Sequence, residues 1–424
     1  MVVIRNIGEL VVVPPGPVRG RSMRTVDRIR AASVLIHGDR IAWFGAEADL
    51  NAPAGCESID ACGGCVLPGL IDCHTHTLFA GTREGEFVQR IEGRSYAEIA
   101  QAGGGIRVTV EAVRRASLDE LVETALPRLA RMLGNGVTTV EIKSGYGLTV
   151  DNEIKMLEAI QRLRSLQPIE LAATYLAAHT APREFSGRSD DYLDLVFDDK
   201  VLARLRDERL AEFCDVFCET TAFTVEQARR VLTAAARFGL RPKVHADQIT
   251  QMGASTLAGE VGAISADHLE KINDAGIASM KRAGSVAVLL PGCSWFLGVE
   301  QAPARRLLDA DLPVAVATDY NPGSSMVESL PLVMAIASTQ MRLTPIEAVV
   351  AATANAAAAL NRRHRIGAMH VGMQADLVIL DVPSVERWLY EPGRNCVRAV
   401  VKKGRTVVAR ILPRAKKTRS LRGL

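Results

Sequence analysis

The sequence predicts an α/β protein, a (β/α)8 TIM-type barrel carrying a small β-sandwich built from both chain ends. Three observations carry this expectation. Short apolar runs alternate with helical patterns through the middle of the 424 residues. Both ends are strand-rich, and histidines together with one aspartate fall where the predicted strands stop. Near-continuous apolar strands separated by helices indicate a parallel sheet, and a barrel collects its functional side chains at the C-terminal ends of those strands.

The elements follow in order. Val34-Leu35-Ile36 and Ile41-Ala42-Trp43-Phe44 flank the turn-rich His37-Gly38-Asp39-Arg40. At the other end, 375–380 and 397–401 read as strands and Lys403-Gly404 as a turn. The two ends, 1–66 and 361–424, are expected to pair into one small domain around a barrel spanning 67–360. The barrel strands are placed at 66–79, 138–142, 172–178, 215–218, 242–245, 263–266, 286–290 and 314–318. A doubly wound open sheet is the architectural alternative, but no G-x-G-x-x-G follows the first strand.

Composition narrows the function classes. With 48% hydrophobic and 23% charged residues, the chain reads as an ordinary globular protein. Its net charge of +3 owes much to a terminal run, Arg414, Lys416, Lys417, Arg419 and Arg422, which reads as a solvated end and not as a nucleic-acid surface. No apolar run approaches the roughly 20 residues a membrane helix needs, and no secretory h-region opens the chain. The eight cysteines are scattered, and Cys62-Gly-Gly-Cys65 lacks the second pair of a zinc ribbon. A reducing cytoplasm is expected, with a small molecule as the partner and neither nucleic acid nor membrane.

Five of the eight histidines fall at predicted strand ends. His74 and His76 close strand one, His179 strand three, His245 strand five and His268 strand six, while Asp319 closes strand eight. In His74-Thr75-His76 the two imidazoles stand at i and i+2, on one face of a strand, so both can reach one metal at about 2.1 Å. His245 and Asp319 complete a four-residue set, His74, His76, His245 and Asp319, for a single divalent ion with a position left open for water. Imidazole-rich ligation suits zinc, and Fe(II) fits as well.

These residues stand in longer motifs: Pro68-Gly69-Leu70-Ile71-Asp72-Cys73-His74-Thr75-His76, then His245, His268 and Ala317-Thr318-Asp319, then Gly372-Met373-Gln374-Ala375-Asp376-Leu377-Val378. The set resembles the amidohydrolase superfamily over nearly the whole chain. Binuclear members carry a carboxylated lysine at the end of strand four. Here that strand ends Val216-Phe217-Cys218-Glu219, and Lys143 lies on strand two, so one metal is expected.

Within the superfamily, 79–84, 103–106, Val140-Glu141-Ile142-Lys143-Ser144-Gly145-Tyr146-Gly147-Leu148, 212–219, His245-Ala246-Asp247 and 318–324 are similar to the imidazolonepropionase family. The resemblance implies hydrolysis of 4-imidazolone-5-propanoate to N-formimino-L-glutamate in histidine degradation, by a homodimer. Hydroxide generated at the metal attacks the ring carbonyl, Asp319 shuttles the proton and His268 assists. Arg83 is the expected anchor for the substrate carboxylate, because a guanidinium grips a carboxylate bidentately; a surface salt bridge is its other reading. The resemblance also implies substrate contacts at Tyr96, Tyr146, His179, Gln248, Asn321, Gly323 and Ser324. Tyr96 reads equally as a packed aromatic, His179 as a ligand or structural histidine, and Gly323 as a turn glycine. The chain departs from the pattern at Gln248, where many members carry glutamate, and at Arg107. An amide cannot act as a base, so Gln248 is expected only to hydrogen-bond. Another cyclic-amide hydrolase or a heterocycle deaminase is the rival enzyme reading, and a scaffold that lost its chemistry is the non-enzymatic one.

Overall fold

The computed structural model describes residues 1–94, 98–99 and 102–410. The expected substrate contact Tyr96 and the basic run beyond 410 lie outside the described residues.

Two sheets organise the chain. The first takes strands from both ends: β1 (Val2–Val12), β2 (Asp27–His37), β3 (Arg40–Ala46), β4 (Glu57–Asp60), β5 (Cys65–Pro68), β14 (Leu377–Leu380), β15 (Val397–Lys402) and β16 (Arg405–Ala409). Their order is β16-β15-β14-β5-β1-β2-β3, with β4 beside β1. The pairing is mixed, since β1 runs antiparallel to β2 and parallel to β4 and β5. The sheet folds back on itself. Ile41 N–H donates to the Met373 carbonyl at 2.9 Å and Gly372 N–H to the Ile41 carbonyl at 2.8 Å, which joins the β3 side to the approach to β14. Ile4, Leu10, Val34, Ile36, Leu377 and Val401 fill the core so enclosed.

The second sheet is the barrel: β6 (Leu70–Asp72), β7 (Val137–Lys143), β8 (Glu170–Ala178), β9 (Phe213–Cys218), β10 (Arg241–Ala246), β11 (Ser265–His268), β12 (Val286–Leu289) and β13 (Val314–Val316). Neighbours in sequence are neighbours in space, and every pair is parallel. Closure between first and last strands comes from the residues just beyond them. Asp319 N–H donates to the His74 carbonyl and His76 N–H to the Tyr320 carbonyl, each at 3.0 Å. The segment carrying the two histidines is thus zipped to the segment carrying the aspartate.

Several strands differ from their sequence expectation, three of them for visible reasons, while β8 and β9 each begin two residues early. The run 66–79 is split. Cys65–Pro68 pairs with β1 and β14 in the small sheet, and Gly69 packs on Thr138 so tightly that a Cβ would lie 2.6 Å or less from its side chain. β11 starts two residues later than expected, because Ala263 N–H still closes the preceding helix on the Ala258 carbonyl. β13 stops at Val316, since the Thr318 N–H is diverted to Asp72 Oδ1 at 3.0 Å. No helix among the described residues is long and apolar enough to cross a membrane.

Candidate active site

Every barrel strand delivers its last residues to one end, and there the sequence-predicted ligands meet. His74 and His76 leave β6, His245 ends β10, His268 ends β11, and Asp319 follows β13. His74 Nε2 and His76 Nε2 each stand 3.6 Å from Asp319 Oδ1. The His245 ring centroid is 4.6 Å from that of His74 and 5.6 Å from that of His76. His268 is close behind, 5.4 Å from His245. His74, His76 and Asp319 form one group within metal-ligating distance, and His74, His245 and His268 another, so His74 is common to both.

The donor set fits a cation. His74 Nε2, His76 Nδ1 and His245 Nε2 are buried without a hydrogen-bond partner. Orphaned buried nitrogens are costly, and a cation taking the lone pairs of His74 Nε2 and His245 Nε2 removes that cost for these two. Burial, reinforced by neighbouring cationic groups, pushes His74 and His76 well below the usual imidazole range, so both are neutral and able to ligate. His74 Nδ1 lies 2.6 Å from Asp267 Oδ2. That contact assigns the proton to Nδ1 and leaves Nε2 as the ligating atom.

The chain is bent to present these groups. His268 has φ of 80° and Asp319 φ of 51°. Left-handed backbone at a non-glycine residue is strained and persists where the surroundings over-determine it. His268 Nδ1 stands 3.6 Å from Glu270 Oε1. Burial pulls its pKa down, but the charge and contact of Glu270 outweigh burial and raise it above the ordinary imidazole value. Asp319 is pushed up by burial, with His268 and His245 opposing the rise.

The expected substrate residues are placed as follows. Tyr146 is buried, with its ring 5.7 Å from His76 and 5.5 Å from His179. His179 stacks on His76 at 5.2 Å and meets the Gly145 carbonyl through Nδ1 at 3.0 Å. Burial drives its pKa down to about 3, so it is a neutral group. Arg83 gives Nε and Nη2 to Glu86 Oε2 at 3.0 and 2.7 Å. Its Nη1 lies so close over Gly323 that a Cβ there would be 2.3 Å away, which makes Gly323 the seat of the guanidinium. Asn321 shapes its own loop. Its Oδ1 accepts the Gly323 and Ser324 N–H groups, both at 2.8 Å, and its Nδ2 donates to the Asp319 carbonyl at 2.7 Å. The two backbone amides are therefore engaged, as is the Ser324 hydroxyl, which accepts from Asn321 Nδ2 at 2.9 Å and donates to Asn321 Oδ1 at 3.2 Å. Gln248 Nε2 points toward Cys293 Sγ at 3.9 Å. Arg107 is exposed on the helix Ile106–Arg115.

Sequence reasoning missed Asp215, Asp267, Glu270 and Cys293. Cys293 hydrogen-bonds the side chains of Ser324 and Asp319 and so lines the same space. A signal was available for the acids. Glu141, Lys143, Asp215, Lys243 and Asp267 are charged residues inside otherwise apolar barrel strands, and buried charge is rare unless paired.

A parallel eight-stranded barrel whose strand ends gather histidines and an aspartate defines the metal-dependent hydrolase class, and the amidohydrolase family profile matches residues 65–407. The chain is 44% identical to the imidazolonepropionase of Geobacillus sp. (strain WCH70), with 96% of this chain and 97% of that one covered. It is 47% identical to the imidazolonepropionase of Geobacillus kaustophilus (strain HTA426), with 92% and 93% covered. The chain belongs to the imidazolonepropionase family of amidohydrolases. Among solved structures, an adenosine deaminase from Xanthomonas campestris with bound zinc superposes with TM-score 0.69 at 18% identity, covering 96% of this chain and 93% of that one, which shows the shared fold.

Proposed function

We propose that the protein hydrolyses 4-imidazolone-5-propanoate to N-formimino-L-glutamate in L-histidine breakdown, with one divalent ion, zinc or Fe(II), held by His74, His76, His245 and Asp319. The observation that carries the metal is the convergence of His74 Nε2 and His76 Nε2 on Asp319 Oδ1, with His74 Nε2 and His245 Nε2 buried and unpartnered. The substrate follows from family membership. An ion bound there acts as a Lewis acid and lowers the pKa of a water it holds toward about 7.

The residues divide the remaining work. Asp319 would accept the proton of the attacking water and pass it to the ring nitrogen as the ring C–N bond breaks. His268, beside Glu270, donates to the oxygen on which charge builds as the new C–O bond forms. Arg83, seated on Gly323 and braced by Glu86, grips the substrate carboxylate. Tyr146 and His179 face the ring from the side of β7 and β8. Gln248 and Ser324 supply hydrogen bonds, and Asn321 holds the loop that bears Ser324 and Gly323. The reading includes a cytoplasmic homodimer acting on a small molecule, with 1–66 plus 361–424 as the small domain and 67–360 as the catalytic barrel.

The test is an ultraviolet assay of imidazolonepropionate loss on protein as purified and after chelation. Activity should vanish with the metal and return with one equivalent of zinc or Fe(II). Full turnover by metal-free protein would overturn the proposal.

A further inference from the structure

We infer that Lys143 is a positioning residue of the metal centre, its ammonium clamping Asp215 and Asp267, the two carboxylates that aim His245 and His74. The inference rests on the proposed metal reading. Lys143 ends β7, is fully buried, and is not itself a ligand of the set described above. Its Nζ donates to Asp215 Oδ2 at 2.7 Å and to Glu141 Oε1 at 3.0 Å, and stands 3.8 Å from Asp267 Oδ2. The oxygens that face the ammonium are those that face the histidines. Asp267 Oδ2 is 2.6 Å from His74 Nδ1, and Asp215 Oδ2 is 3.0 Å from His245 Nδ1. Asp215 also takes the His245 backbone N–H on Oδ1 at 3.2 Å. Lys143 thus bonds the acid behind His245 directly and flanks the acid behind His74, which Lys243 Nζ flanks at the same 3.8 Å.

The physics favours this reading over a generic core ion pair. An ammonium taken out of water costs several kcal/mol unless it is paired and hydrogen-bonded. Here the pairing converges on ligand-bearing carboxylates, and Lys243 completes the arrangement by bonding Glu141 Oε2 at 2.7 Å and the Cys73 carbonyl, next to His74, at 3.1 Å. Without Lys143, Asp215 loses its 2.7 Å hydrogen-bond donor and Asp267 keeps only Lys243 at 3.8 Å, so the two carboxylates are free to rotate. That rotation releases the imidazoles from their aim, and losing such outer support weakens metal binding by about 10- to 100-fold.

The experiment measures how fast the metal-loaded enzyme gives up its ion to a chromogenic chelator, with the melting temperature recorded alongside. Lys143→Met and Asp267→Asn should release the metal about 10- to 100-fold faster than the parent. The second variant keeps the shape of the site should the first fail to fold. Lys402→Met removes another buried ammonium, which bonds Asp376 Oδ2 at 2.7 Å in the small sheet. It should lower the melting temperature and leave metal release unchanged. Parental release rates in Lys143→Met and Asp267→Asn, or equal acceleration in Lys402→Met, would overturn the inference. A parent protein that binds no ion would bring down the metal reading itself and this inference with it.

Discussion

At His268 the backbone, a neighbouring carboxylate and the reaction meet in one residue. Its φ of 80° turns the backbone at the end of β11, and Glu270 raises the pKa of the ring where burial alone would lower it. An imidazole N–H placed beside the reacting carbonyl stabilises charge on its oxygen. Glutamine approximates the shape and hydrogen-bonding reach of the ring without its acidity. His268→Gln should therefore lower kcat by roughly 10²-fold, the usual size of lost acid–base help, with metal content staying near one per chain. Steady-state kinetics beside metal analysis checks this, and a variant turning over at the parental rate would leave Asp319 to act alone. Cys293 shows the limit of reading single residues. A cysteine after strand seven looks like core filler, and only its contacts with Asp319 and Ser324 place it at the site.

At the scale of an element, the turn that follows β7 is shaped from behind by a buried carboxylate. Glu153, in the helix Val150–Leu166, accepts the Gly145 N–H on Oε2 at 2.9 Å and the Gly147 and Leu148 N–H groups on Oε1, each at 2.8 Å. Gly145 has φ of 102°, and a Cβ there would crowd His179 Nδ1 at 3.0 Å. Glu153 thus holds both the turn that presents Tyr146 and the carbonyl that orients His179. Glutamine at 153 keeps one acceptor and turns an amide toward the Gly145 N–H, two donors face to face. Since small misplacements of positioning groups are expensive, Glu153→Gln should raise KM by about 10-fold while the metal is retained. An unchanged KM would assign Glu153 to stability alone.

Across the whole molecule, the chain's first thirty residues are fastened to the last barrel helices by a second carboxylate. Glu347 accepts from Arg305 Nη1 and Nη2 at 2.8 and 2.9 Å and from Arg24 Nε at 2.9 Å, and it closes a capping box with Thr344. Burial works against its charge, yet the hydrogen bonds from Arg305, the Thr344 backbone and Arg24 hold its pKa down to about 2. A depressed carboxylate contributes stability that is fully present above its unfolded pKa and is lost as pH falls through the folded one. Glu347→Gln should therefore cost on the order of 2 kcal/mol at neutral pH. The gap to the parent should shrink between the unfolded carboxylate pKa of about 4.3 and the folded value. Denaturant titrations at pH 7 and pH 3 test this, and an equal gap at both would remove the charge from the account.

The sequence by itself determined the fold class, the strand order and the residues at the strand ends. These are legible because period and hydrophobicity are local, and because in a barrel every strand end lies on one face whatever the loops do. His74, His76, His245, His268 and Asp319 could therefore be grouped before any distance was known. The tertiary structure decided what local pattern does not encode. It split the run 66–79 between two sheets, because Cys65–Pro68 finds hydrogen-bond partners in β1 and β14 that lie far away in sequence. It brought Asp267 to His74 across 193 residues and Lys143 to Asp215 across 72. It also spent the Gly323 and Ser324 amides on Asn321 and seated Arg83 against Gly323. The pairing of buried charges, and which donors remain free for a substrate, depend on which side chains share a low-dielectric space, and only the folded chain settles that.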